Sequence, residues 1–136
     1  MASITYHSGY HYQLVEDYTV ESAITGVDVT IRFLRLMPSG LLTIEAGYAW
    51  DGASGPAVDT RTIMRGSLVH DALYQLLREG HLPPSYRLQA DRLLYTLCRE
   101  DGMSWPRAQW VYWGVRWGGS LHARASTRTT GIHTAP

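Results

Sequence analysis

Two polar residues fall where helical periodicity leaves no room for water. At about 100° per residue, Ile63, Ser67, His70, Tyr74 and Leu77 share one stripe of a helix expected near residues 60 to 79, and Val69, Leu73 and Leu76 widen its apolar side. His70 is therefore expected to point inward, with Arg61, Arg65, Gln75 and Glu79 on the opposite, solvated side and Asp71 at the margin. On a second helix, expected near residues 85 to 100, Leu88, Ala90, Leu94, Tyr95, Leu97 and Cys98 form the apolar arc, and Asp91 lies in its middle. A carboxylate taken from water without a donor is costly or forced to neutralise, so Asp91 needs a partner. His70 is the expected one, and Tyr74 and Tyr95, four residues after His70 and Asp91 respectively, can offer hydroxyls to the same carboxylate. An imidazole held by Asp91 through one ring nitrogen keeps the other as a general base. The plainer reading of the same residues is a buried polar network that only fixes the register of two helices.

These side chains need a scaffold, and the chain alternates in two different ways. Tyr10, Tyr12 and Leu14, then Tyr18 and Val20, then Val29, Ile31 and Phe33, and finally Leu42, Ile44, Ala46, Tyr48 and Trp50 follow the period of two that marks half-buried strands. Met37-Pro38-Ser39-Gly40 supplies hairpin chemistry between the last two runs. Asp51-Gly52-Ala53-Ser54-Gly55-Pro56 ends the last strand in an irregular turn. Three helices follow, the third near residues 105 to 122, separated by Gly80-His81-Leu82-Pro83-Pro84 and by Asp101-Gly102. The expected fold is α+β, a small antiparallel β-meander followed by three packed α-helices. Residues 1–123 form one globular domain, and the Thr- and Ser-rich residues 124–136 a flexible C-terminal arm.

Composition narrows the function classes. With 136 residues there is room for one core and no second domain. Apolar types at 45% and charged types at 18% set the chain apart from disordered sequences. Twelve Lys plus Arg, all of them Arg, balance twelve Asp plus Glu, so no net field draws the chain to nucleic acid, and no nucleic-acid partner is expected. Cys98 stands alone, which leaves oxygen and imidazole as the only ligands for a metal. Neither a signal peptide nor a transmembrane segment is legible, so synthesis and first residence in a cytoplasm are expected, with later release by lysis or incorporation into a particle left open.

Trp50-Asp51-Gly52-Ala53-Ser54-x-Pro56, His70-Asp71-x-Leu73-Tyr74, Ala90-Asp91 and Tyr112-x-x-Val115-Arg116 with Gly118, over about residues 40 to 120, resemble the bacterial and phage family called domain of unknown function 1353. Position 55 is Gly where that pattern has an aliphatic residue. The resemblance implies a phage or prophage origin and no activity. A more distant chemical similarity is to secreted phospholipase A2, whose Gly-rich loop, helical His-Asp-x-x-Tyr and following Asp occur in the same order. That similarity implies His70 as base, Asp91 as its orienting group, Tyr74 and Tyr95 as hydroxyl partners, and a calcium ion on Asp71 and the loop beginning at Asp51 and Gly52, polarising an ester carbonyl. The disulfides of that enzyme class are absent from this sequence. Two other chemistries use the same residues: Ser54 as nucleophile with His70 and Asp91, and zinc on Asp51, His70 and Asp71. Zinc ranks below calcium, because adjacent helical residues point about 100° apart.

On the third helix Trp110, Trp113, Trp117 and Leu121 form a stripe opposite Ala108, Val111, Tyr112, Val115 and Gly119. One side can pack inward; the other would offer indoles to a partner or a lipid interface. Two functions from different classes follow. One is a phage-type hydrolase of an ester or amide from the bacterial envelope. The other is a tail or baseplate component whose Trp stripe and arm touch other phage proteins or further copies of itself.

Overall fold

A computed structural model describes residue 4 and residues 6–7, 12–50 and 61–129, the backbone alone at 6–7 and 119–129. Among the described residues seven short strands precede three helices, and every strand pair is antiparallel. The strands divide into two sheets. One has the order β1 (Tyr6–His7), β2 (Tyr12–Leu14), β7 (Ala49–Trp50); the other runs β3 (Tyr18–Glu21), β6 (Leu41–Ile44), β5 (Leu34–Leu36), β4 (Val29–Ile31). The α+β class and the strands-then-helices order are as expected.

Two turns differ from the sequence reading, and each has a local cause. The run Val29-Ile31-Phe33 is not one strand, because the chain turns at Arg32 and Phe33, where Phe33 takes φ +71, and pairs Ile31 with Leu34. The run Leu42 to Trp50 breaks at Gly47, whose φ of +101 no side-chain-bearing residue adopts readily. The Phe33 ring covers Gly47, and Asp17 Oδ1 accepts the Ala46 N–H at 2.8 Å. This break sends β7 into the other sheet, where Trp50 pairs with Tyr12.

Helix α1 (Arg61–Arg78) lies between the sheets and α2 (Arg87–Glu100), which a 3-10 turn at Pro84–Tyr86 introduces. Its Leu68, Val69, Ala72, Leu73 and Leu76 join Leu14, Ile24, Leu36, Leu42, Ile44 and Trp50 in the main core. Five of those α1 side chains, fully removed from water at about 1.5–3 kcal/mol for each large one, are what hold the helix on the sheets. A second, smaller core of Ile63, Leu94, Cys98, Met103, Ala108 and Val111 joins α1 and α2 to α3 (Trp105–Thr129). The third helix continues beyond residue 122, and the stretch 124–129, read from sequence as part of an arm, is helical. It extends a helix already nucleated, each added residue gaining a backbone hydrogen bond without a new nucleation cost. Among the described residues, no helix is long and apolar enough to cross a membrane.

Candidate functional site

The site begins with how closely two helices approach. A Cβ on Gly66 would stand 2.9 Å from Leu94 Cδ1 and 3.2 Å from Cys98 Sγ, so α1 and α2 meet at a distance only glycine permits there. One turn further along α1 is His70, and three residues before Leu94 on α2 is Asp91. Their side chains meet with His70 Nε2 2.7 Å from Asp91 Oδ1. Trp50, the last residue of β7, donates its indole N–H to Ser67 Oγ at 3.0 Å and ties the end of that strand to α1 one turn before His70.

Asp91 is fully buried, and its two oxygens are both occupied. Oδ1 accepts from His70 and from the Tyr74 hydroxyl at 2.6 Å, and Oδ2 accepts from Arg116 Nη1 at 2.7 Å. Burial pushes Asp91 toward protonation, but hydrogen bonds from His70, Tyr74 and Arg116 outweigh it and hold its pKa below the usual carboxylate value. Tyr74 is driven the other way, first by burial and then by its bond to Asp91, so its phenol stays protonated well beyond ordinary tyrosine. An ionised carboxylate can only accept. His70 Nε2 must then carry the hydrogen, so that the lone pair of the ring in its neutral form is on Nδ1. The Tyr74 ring lies against the imidazole, with centroids 4.1 Å apart and planes at 35°, which fixes the ring's orientation. The His70 side chain retains 10% of its exposure, so its environment is close to dry but open at an edge.

Several expected members of the site are in other places. Tyr95 does not join Asp91; it packs beside the second core and meets Tyr112 edge-on at 6.2 Å, because α3 closes over that side of α2. Asp71 is half-buried and engaged by another residue. Asp51, Gly52 and Ser54 lie outside the described residues. Among the described residues no three His, Cys, Asp or Glu side chains converge on one point. Asp71 is therefore the one expected calcium ligand whose position is described, a single hard oxygen donor of the kind calcium takes.

Two arginines matter more than their spacing suggested. Arg116 supplies the cation for Asp91 from α3. The signal for it was present in the helical wheel, which sets position 116 with Tyr112 and away from the Trp stripe, and in the demand of a buried acid for a positive charge. Arg65, expected on a solvated face, is buried. Its Nε and Nη2 donate to Asp101 at 3.0–3.2 Å, Nη2 to Glu100 at 2.8 Å, and Nη1 to the Tyr18 hydroxyl at 2.9 Å. A one-sided wheel fails for α1 because sheets and α2 cover it on nearly every side over its first half.

The Trp stripe is bare. Trp110, Trp113 and Trp117 are 56%, 53% and 79% exposed, whereas Ala108, Val111 and Val115 pack inward. The side chain of Leu121 lies outside the described residues.

Fold and site together define an α+β domain with a histidine–aspartate pair set where the three described helices meet, the aspartate buried and the imidazole open at one edge. The sequence matches the family model for "Protein of unknown function (DUF1353)" over residues 28–115, and the chain belongs to that family. The match runs from β4 into α3 and includes His70, Tyr74 and Asp91. No curated protein and no solved structure matches the chain.

Proposed function

We propose that the chain is a hydrolase in which His70 is the general base, acting on an ester or amide of the bacterial envelope, the substrate class suggested by the phage and bacterial setting of the family it resembles. The observation that carries this reading is the saturated Asp91, which fixes the tautomer of His70 and leaves Nδ1 with no hydrogen-bond partner among the described residues. A water placed at Nδ1 gives that nitrogen a proton as its oxygen bonds to the carbonyl carbon. The carbon's bond to the leaving group then breaks, and the leaving oxygen or nitrogen takes the proton from Nδ1. Asp91 orients the ring and stabilises the imidazolium between the two transfers. Tyr74 and Arg116 hold Asp91. Asp71, with Asp51 and Gly52, would hold a calcium ion if one binds, and the ion would polarise the carbonyl. Ser54 is the alternative nucleophile, distinguishable by covalent labelling with a fluorophosphonate.

The test is hydrolysis of activated esters and of envelope extracts by the purified chain. His70→Gln should reduce turnover at least 10²-fold, the lower end for loss of a general base. Asp91→Asn should abolish turnover with the fold largely kept. Undiminished turnover in His70→Gln would remove the base and with it this reading.

A second reading, a tail or baseplate component carried in the virion, is favoured by the exposure of Trp110, Trp113 and Trp117. Exposed contiguous aromatic surface marks contact sites.

A further inference from the structure

We infer that the exposed face of α3 binds a second copy of this chain, seating the Trp113–Trp117 ridge of each protomer in the Gly114–Gly118 groove of the other. The inference rests on the contact-surface reading above and commits it to one partner. Residues four apart form rows along a helix, and such rows of one helix pack into the grooves of another at about −50°. On α3 one row carries Trp113 and Trp117, and the row beside it carries Trp110, Gly114 and Gly118. A ridge of indoles thus lies next to a channel without side chains. A Cβ at Gly114 or Gly118 would meet nothing within 4 Å among the described residues, so no packing among them accounts for either glycine. Glycine weakens a helix interior, and two of them flanking exposed tryptophans make sense when another surface enters the channel.

A ridge and a groove side by side are self-complementary under a two-fold axis, the property an isologous interface requires. Charge agrees. Such an axis sets each residue against its own kind, and neither row carries a charge between positions 109 and 118. Arg116, on the same stretch, is turned inward to Asp91. At about 250 Å² for a whole Trp, the exposures of Trp110, Trp113 and Trp117 leave roughly 450 Å² of indole surface uncovered. That is more than half of the ~800 Å² each partner gives to a standard interface.

The experiment is sedimentation of the full chain at 10–100 µM (about the range for weak to moderate dimers). The expected mass is twice 15.3 kDa, falling to the monomer in Gly114→Leu, which fills the groove and should fold at least as well because its side chain enters open space. Trp117→Lys should also be monomeric, with unchanged circular dichroism. A monomeric wild type, or a dimer indifferent to both substitutions, overturns the inference. Binding of the monomeric wild type to phosphatidylcholine vesicles, with a blue-shifted Trp emission lost in Trp113→Ala/Trp117→Ala, would overturn the dimer and leave the contact surface standing. Failure of that double substitution to alter mass, emission or vesicle binding would remove both.

Discussion

Arg65 on α1 and Asp91 on α2 are the same problem with the signs exchanged: a buried charge met by opposite charges and by one tyrosine hydroxyl. Tyr18 accepts from the arginine and Tyr74 donates to the aspartate, the two roles a phenol can take. The difference is in the partners. Arg65 is matched by two carboxylates, of which Glu100 is 55% exposed, and by the Tyr18 phenol, with no imidazole among its partners. Hydrogen bonds to Asp101, Tyr18 and Glu100 more than offset burial and keep Arg65 charged beyond its ordinary range. Asp91 is matched by Arg116, Tyr74 and an imidazole with a second nitrogen to spare. One cluster can only fasten α1 to the end of α2. The other can fasten and also exchange a proton.

That contrast can be broken in steps. Asp91→Ala strands Arg116, His70 and Tyr74 without their acceptor and should cost about 3–5 kcal/mol, measured by urea unfolding; a loss near zero would mean that the network does not hold the helices. Arg65→Met should cost less, about 2 kcal/mol, because Glu100 regains water, and should leave any hydrolysis unchanged. Equal loss of turnover in both variants would erase the distinction between the clusters. Gly66→Ala gains helix propensity but overpacks the contact with Leu94 and Cys98, for a net loss of about 1 kcal/mol and a larger loss of turnover, since it parts His70 from Asp91.

Acid supplies a finer test. Because the folded pKa of Asp91 lies below its unfolded value of 3.8, its contribution to stability is fully present above that value and is lost as pH falls through the lower folded one. Asp91→Asn should flatten that acid limb of the stability curve. The smallest expected effect concerns Cys98, whose thiol burial pushes up to about 12. It should resist alkylation at pH 8 in the native state and react on unfolding, so its labelling rate reports opening of the small core between α1, α2 and α3.

Much of this was written in the periodicity. His70 and Asp91 stand out because each interrupts an apolar arc, and a short link between their helices brings the arcs together. Tyr74 follows from the same row of α1. Tyr95 misleads because a row on α2 specifies direction but not which neighbour fills it, and Tyr112 of α3 does. Arg65 was hidden for a related reason: wheel patterns assume one wet side, and α1 has none from Ile63 to His70. The strand breaks at Phe33 and Gly47 were obscured because an alternating pattern continues through a turn when the strands on both sides bury alternate residues. Only Gly47, with its positive φ, offered a local signal.

The order of synthesis gives the Asp91–Arg116 bond a temporal meaning. Twenty-five residues separate the two, so a ribosome completes the acid well before it delivers the guanidinium. Until α3 has left the ribosome and docked, the aspartate lacks its guanidinium, which favours a hydrated carboxylate and an α1–α2 pair ajar. The last helix then acts as a latch, and a chain halted before it would present greasy, half-closed surface to chaperones and proteases.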